Sequence, residues 1–467
     1  MMSKTKSNSL KYTVILFLAV YLVQYIAIVI FDTNVMSFSG FGDLFIAVTL
    51  SIWYIVRYRS ENILCFELMF LPVFILGSFY SEIVLSSVGG VFDGVGGAFR
   101  NAIQDTSVVH KSRLVQMIGL LSFFYGSIKG NVYKNDKKED WLMSDEYSNV
   151  NFNLIIKVIS LILLLELVNN YLNGGFSTWF SYESGLSDSE RNQGLGRIDS
   201  LCLIATMIEF TRLAKLKTSS FRQFLSNVDK LYLFEVLIVS LLLLLSGNRN
   251  EMLLVFLPVV VAYTVFIKTI PRKYIFVGLL AGTVYFVYSG LTRQGDIISI
   301  SDIDLYSVTR DFSLVQINCD YLVNYTDDGN MHFFSSLPAS LLGGIPFVGP
   351  LIFNFLRLDL SNQSTYITTN GLAAWDGTGL GTSLVGDLYY NAKLPFVVIF
   401  MIVFGYLLSR LYTRFTYEKR YDLLGVLFYL YMVSNAVYFI RQQWDFPLSR
   451  ILYDYIILFI MCRVLRK

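Results

Sequence analysis

The chain has 467 residues, of which 54% are hydrophobic and 15% charged, with a net charge of +2 and a mean hydropathy of +0.54. Charge this sparse cannot cover the surface of a water-soluble protein, which excludes an ordinary globular domain. The apolar runs are continuous rather than alternating, which excludes a membrane β-barrel and leaves an all-α polytopic membrane protein.

In chain order, twelve apolar segments read as transmembrane helices: Thr13 to Phe31, Phe41 to Val56, Ile63 to Tyr80, Leu114 to Ile128, Leu154 to Leu172, Ser200 to Thr211, Leu231 to Leu245, Met252 to Ile267, Tyr274 to Leu291, Leu394 to Leu411, Leu423 to Ile440 and Ile451 to Arg463. With the N-terminus inside, 25 of the 37 Lys and Arg residues fall in inner segments and 12 in outer ones. That bias has the sign of the positive-inside rule, so both termini are expected in the cytoplasm. The first segment has a basic flank and no small-residue cleavage site, and reads as a retained helix. Cys65, Cys202 and Cys462 fall within spans and Cys319 falls outside, so no external disulfide pair is available.

The connections differ in character. The outer stretch Ser81 to Lys111 is Gly-rich, yet no Gly-Lys-Ser/Thr follows and it reads as plain loop. The inner stretch Lys129 to Asn153 is a solvated connection. Asn173 to Asp199 carries Arg191 and Arg197 among small residues, in Arg-Asn-Gln-Gly-Leu-Gly-Arg, where glycines let the backbone approach a ligand. Ser246 to Glu251 is a tight turn that holds Arg249 and Glu251 at the membrane surface, where a charge needs a polar cavity or a headgroup. From Thr292 to Lys393 the chain leaves the membrane for 102 residues, and a loop of that size implies function. Within it, Ser307 to Val323 has near-helical apolar spacing, so 292–393 is expected to contain short helices within a single domain over 1–467.

Chemistry concentrates on the outer face, which carries ten arginines against only Lys111 and Lys393. Guanidinium forks bind phosphate bidentately, which points to an anionic ligand and to Arg191, Arg197, Arg249, Arg293, Arg310 and Arg441 as its contacts. For each of them an interface anchor or a local salt bridge is an equal alternative. Arg310 and Asp311 are expected to open a helix with Thr309 as N-cap. Asp311, Glu251 and Asp387 are the candidate catalytic carboxylates, since the first two stand beside arginines and the third leads into the tenth span. Asp32 is a further isolated candidate. No metal site is expected: His110 and His332 are far apart and read as solvated, and Asp302 with Asp304 is a weak pattern. Glu166 alone among the intramembrane acids lies deep enough for an ion path. The abundant aromatics read first as an interfacial belt, although Trp179, Trp375 and Trp444 in outer segments would also suit the apolar faces of sugars.

Ser246-Gly-Asn-Arg-Asn-Glu-Met, the long late outer loop, and Gly379-Leu-Gly-Thr-Ser-Leu-Val-Gly-Asp-Leu-Tyr-Tyr-Asn before a span ending in Phe404-Gly-Tyr resemble the O-antigen polymerases of the Wzy type. The resemblance implies a GT-C-like membrane glycosyltransferase that takes a glycan from undecaprenyl diphosphate and transfers it to another lipid-linked repeat unit. It implies inversion at the anomeric carbon, no cofactor or metal, and a bacterial inner membrane location. It also implies a chain-length regulator and a flippase as partners, with no nucleic acid. Some members carry Arg, ten residues, then Gly in two outer loops; no outer arginine here has Gly at that distance, so the motif assigns none of them. The alternatives are an O-antigen ligase or other lipid-carrier glycosyltransferase, and a lipid-linked oligosaccharide flippase.

Overall fold

The structure is a computed structural model and describes residues 4–31, 40–60, 62–85, 106–131, 150–172, 198–245, 249–291, 305–346, 352, 363–371, 381–420 and 422–464. In chain order the first half forms α1 (Lys4–Phe31), α2 (Gly40–Tyr58), α3 (Phe66–Ser78), α4 (Thr106–Gly130), α5 (Phe152–Leu172), α6 (Ile198–Lys215), α7 (Phe221–Asn227) and α8 (Lys230–Leu245). The second half forms α9 (Arg249–Phe266), α10 (Arg272–Leu291), α11 (Leu305–Asp327), α12 (Leu337–Gly343), α13 (Gln363–Gly371), α14 (Leu384–Thr413), α15 (Leu423–Asn435) and α16 (Phe446–Val464). A helix lies over each of the twelve apolar segments. By length and composition, Ser9–Ile30, Gly40–Tyr58, Phe152–Asn169 and Leu384–Glu418 can cross a membrane, and Phe66–Ser78, Glu251–Ile267 and Leu423–Asn435 are shorter apolar helices. Leu16, Phe45, Leu165, Val277 and Ile399 are all exposed, as expected for side chains that face lipid rather than water.

The axis of the bundle is the pair α4 and α14, which pack on each other more extensively than any other helices. Glycine sets their approach. A Cβ at Gly126 would strike the carbonyl of Ile402, one at Gly130 the carbonyl of Tyr406, and one at Gly405 the carbonyl of Phe123. Backbone-to-backbone packing of this kind is how apolar helices associate where lipid removes the hydrophobic drive. Beside this seam a cluster of Phe66, Phe70, Phe123, Phe404 and Phe439 fills the interior.

The two ends of the bundle are polar and separate. At one end the fully buried Arg59 pairs with Glu67 and donates to the Tyr54 hydroxyl at 2.7 Å, Ser409 Oγ at 2.8 Å and Asn131 Oδ1 at 2.7 Å. Its guanidinium also lies 4.1 Å from the Tyr412 ring centroid, so one side chain ties α2, α3, α4 and α14 together. At the other end Tyr21 donates to Asp43, Arg113 pairs with Glu82, Ser112 donates to Asp320 and Arg450 pairs with Asp199. Residues that the cation count assigns to one side bond with residues of that same side, at both ends.

One expectation about local structure is corrected. The helix expected to open at Arg310 begins instead at Leu305, because Leu305, Val308 and Phe312 already keep helical spacing. Arg310 and Asp311 therefore occupy its second turn. Thr309 does not cap it; its Oγ1 lies 3.1 Å from the Tyr80 hydroxyl. The tenth span starts at Leu394 as expected, directly after a break in α14, but a further helical segment precedes it. Ser383 caps a helical segment ten residues earlier by accepting from the Gly386 N–H, and α14 runs from there through a break at Ala392 and Lys393.

Candidate active site

That break has a chemical cause. Pro395 has no N–H to give the Asn391 carbonyl, and Lys393 adopts a left-handed φ of 53°, so the carbonyls before the break lose their helical partners. A loop takes their place: His332 N–H donates to Tyr390 O at 3.0 Å, Phe333 N–H to Asn391 O at 3.2 Å, and Phe334 N–H to Asn391 Oδ1 at 3.1 Å. Phe333 and Phe334 are themselves left-handed, with φ of 47° and 60°. Three non-glycine residues in that region within one contact cost energy that surrounding structure must offset, and such strain gathers at functional sites.

Beside the break lie two buried carboxylates. Asp387, in the first turn of α14, is 1% exposed; its Oδ2 accepts from the Trp444 N–H at 2.8 Å, and Asn391 Nδ2 lies 3.3 Å from Oδ1. Asp445 and the Ser364 side chain of α13 are within electrostatic reach of it. Asp445 is 0% exposed; its Oδ2 accepts from Ser336 Oγ at 2.7 Å, while Oδ1 has no partner among the described residues. His332 also feels Asp445. Burial holds the imidazole below its ordinary pKa, so it is neutral at pH 7. Its ring stacks on Tyr390 at 5.2 Å and 7°, and Ser335 Oγ lies 2.8 Å from Nδ1, so His332 is not the solvated loop histidine that the sequence suggested.

Arg441 joins this site through backbone geometry. It ends a 3-10 turn, Phe439–Arg441, and its carbonyl accepts from the Thr382 N–H at 3.1 Å. Gly381 has φ +69°, and an added Cβ would sit 3.2 Å from the Arg441 carbonyl and 3.6 Å from its Nε, so the conformation and the close approach of these two segments both favour glycine. The Gly381 carbonyl in turn accepts from Thr368 Oγ1 at 2.8 Å and Asn318 Nδ2 at 3.2 Å, which ties in α13 and α11.

A second polar cluster adjoins it on α11. Asp320 is fully buried against Ser112, with Oδ2 unsatisfied. Burial, reinforced by Glu82 and opposed by Ser112 and Arg113, pushes its carboxyl up to about 8, so it is mostly protonated at neutral pH. Lys111 and Lys393, the two outer lysines, both approach Asp327, at 2.5 and 3.7 Å, and Tyr389 donates to the same carboxylate at 2.9 Å.

Of the nine residues that the sequence nominated, the structure brings together Asp387 and Arg441. Glu251 stands in the first turn of α9, which packs on α6, α8 and α15. Arg249 is the first residue of that helix, and 246–248, the rest of the expected tight turn, lie outside the described residues. The side chains of Arg249, Arg310 and Asp311 lie outside the described residues, as do Arg191, Arg197, Arg293, Asp32, Asp302 and Asp304. Sequence reasoning missed Asp445, His332 and Asp320. The available signal for Asp445 was Asp-Phe-Pro at the entry to α16, a helix-start pattern that gives no hint of a partner 58 residues earlier.

These features define a class: a helical, multi-pass membrane protein with buried carboxylates and an arginine gathered at one end of the bundle. The chain belongs to the O-antigen polysaccharide polymerase Wzy family, whose model it matches over residues 12–467. No curated protein and no solved structure matches it. It is a glycosyltransferase-type polymerase that joins O-antigen repeat units carried on lipid-linked oligosaccharides in the membrane.

Proposed function

We propose that the polymerase joins repeat units at the break in α14, on the extracytoplasmic side of a bacterial inner membrane, with twelve spans, both termini in the cytoplasm and a GT-C-like arrangement. The observation that carries this reading is the pair of buried carboxylates, Asp387 and Asp445, beside Arg441 at the strained break. Segment 292–393 supplies much of the wall, through His332, Ser336 and α11.

The chemistry follows from the groups. The acceptor hydroxyl oxygen attacks the anomeric carbon of the donor glycan, forming the new glycosidic bond. The bond from that carbon to the lipid diphosphate breaks, and its electron pair leaves on the diphosphate oxygen. The hydroxyl proton passes to the free Oδ1 of Asp445, while Asp387, fixed by the Trp444 N–H and Asn391, positions the segment that carries Asp445. Arg441 receives the charge that gathers on the diphosphate, in place of a metal ion. A single displacement of this kind inverts the anomeric centre. A chain-length regulator and a flippase are the partners that such an enzyme needs before and after the step. The outer arginines beyond the described residues, Arg191, Arg197 and Arg293, remain candidates for the second lipid carrier, and Arg249, Arg310, Asp311 and Glu251 are secondary candidates.

The test is genetic. Deleting the gene should collapse the surface polysaccharide ladder to a core carrying a single repeat unit, and the wild-type gene should restore it. Arg441→Lys keeps the charge but loses the bidentate fork, and should restore less than a tenth of the polymer, the loss of about 1.4 kcal/mol or more expected for a charge-assisted pair. A full ladder from Arg441→Lys would remove Arg441 from the diphosphate site.

A further inference from the structure

The segment that follows Arg441 has an unusual run of unsatisfied polar atoms. Gln443 Oε1, Trp444 Nε1 and Asp445 Oδ1 are buried in three successive residues, and none has a hydrogen-bond partner among the described residues. Thr382 Oγ1, on the strand of chain whose N–H bonds the Arg441 carbonyl, is buried and unsatisfied as well. Gln443 is 2% exposed and Thr382 0%. Buried polar groups are normally paired, so a group of exceptions on adjoining stretches of chain calls for a partner from outside the protein: water, an ion or a ligand.

The chemistry of the four atoms selects the ligand. Two are acceptors, one is a donor and one is a hydroxyl that does both. A hydroxyl-bearing ligand satisfies such a set, because each sugar hydroxyl donates one bond and accepts others. A diphosphate does not: it offers only acceptors, and it would meet Asp387 and Asp445 at the same place. Trp444 also presents an aromatic ring held edge-on by Phe334, Phe396 and Phe400, at centroid distances of 6.1, 5.2 and 5.7 Å.

We infer that Gln443, Trp444, Asp445 and Thr382 form the subsite for the uncharged terminal sugar of the acceptor glycan, separate from the diphosphate contacts. This rests on the proposed location of the reaction and assigns one substrate to one wall of it. The unsatisfied atoms destabilise the empty protein and are satisfied when the sugar binds.

The inference predicts a trade that a structural role would not give. Gln443→Met and Thr382→Val keep side-chain volume and remove the unsatisfied atom. Each should leave the melting temperature of the purified, detergent-solubilised protein at or above that of wild type. Each should also weaken binding of the free repeat-unit oligosaccharide, released by mild acid from the lipid-linked precursor, by roughly three- to tenfold, the worth of one neutral hydrogen bond. Binding of inorganic diphosphate, followed by the same thermal shift, should be unchanged. Unaltered oligosaccharide binding in either variant, or weakened diphosphate binding instead, would overturn the assignment. So would a fall in melting temperature in both, since the atoms would then have partners in the empty protein. Variants that bind sugar normally would refute the subsite alone, whereas Asp445→Asn protein that folds and still makes full polymer would refute the proposed location of the reaction.

Discussion

At the residue scale, the polar groups near the break do different work because burial treats them differently. Asp320 has its pKa raised in the folded protein, so its protonated form is the stable one there. The unfolded state holds fewer protons between about pH 4 and pH 8, so stability falls as pH rises through that window. Asp320→Asn mimics the protonated acid and can still accept from Ser112. Its melting temperature should match wild type below about pH 4 and exceed it increasingly from there up to about pH 8. A constant offset across that range, measured in detergent, would mean that Asp320 does not titrate there. Legibility was uneven at this scale. Asp387 and Arg441 were visible because they sit next to spans, at positions where a charge needs a reason. Asp445 and His332 were not, since their significance comes from the electrostatic influence of Asp445 on Asp387 and from the stacking of His332 on Tyr390, which sequence spacing does not encode.

At the scale of elements, the apolar runs were enough to place helices, and the helix ends were the part that sequence alone misjudged. The span expected from Leu394 is there, but the sequence did not show the capped helical segment before it, nor that the freed carbonyls dock another loop. Likewise α11 starts a turn and a half before Arg310, since apolar spacing outweighs a weak Thr cap. Between elements, the strongest single fastening at the far end is Arg59, which Glu67, Tyr54, Ser409 and Asn131 surround with no exposure. Arg59→Ala would leave Glu67 buried without its charge partner, a change that costs about 3–5 kcal/mol. The variant should therefore fail to accumulate or melt well below wild type, and Arg59→Ala combined with Glu67→Gln should recover part of the loss. Equal stability of the single and double variants would show that the pair is not coupled.

At the scale of the whole molecule, hydrogen bonds link like ends with like ends, so a single assignment of sidedness fixes all of them. On the proposed orientation, Arg59 and Glu67 lie at the cytoplasmic end of the bundle and the break in α14 at the extracytoplasmic end. Ser335 is exposed beside that break, and all four native cysteines are buried. Ser335→Cys should react with an impermeant maleimide in intact spheroplasts; protection until lysis would reverse the orientation and with it the side on which polymer is made.

On the proposed mechanism, polymerisation depends on the free carboxylate oxygen of Asp445 at the break. The most direct measurement is polymer synthesis by purified protein from lipid-linked repeat units, with Asp445→Asn beside wild type. Asparagine keeps the size and the contact with Ser336 but removes the base. The variant should keep the wild-type melting temperature while its polymer yield falls by at least about a hundredfold, the lower range of a general base's contribution. A variant that folds and still makes a full ladder would contradict it.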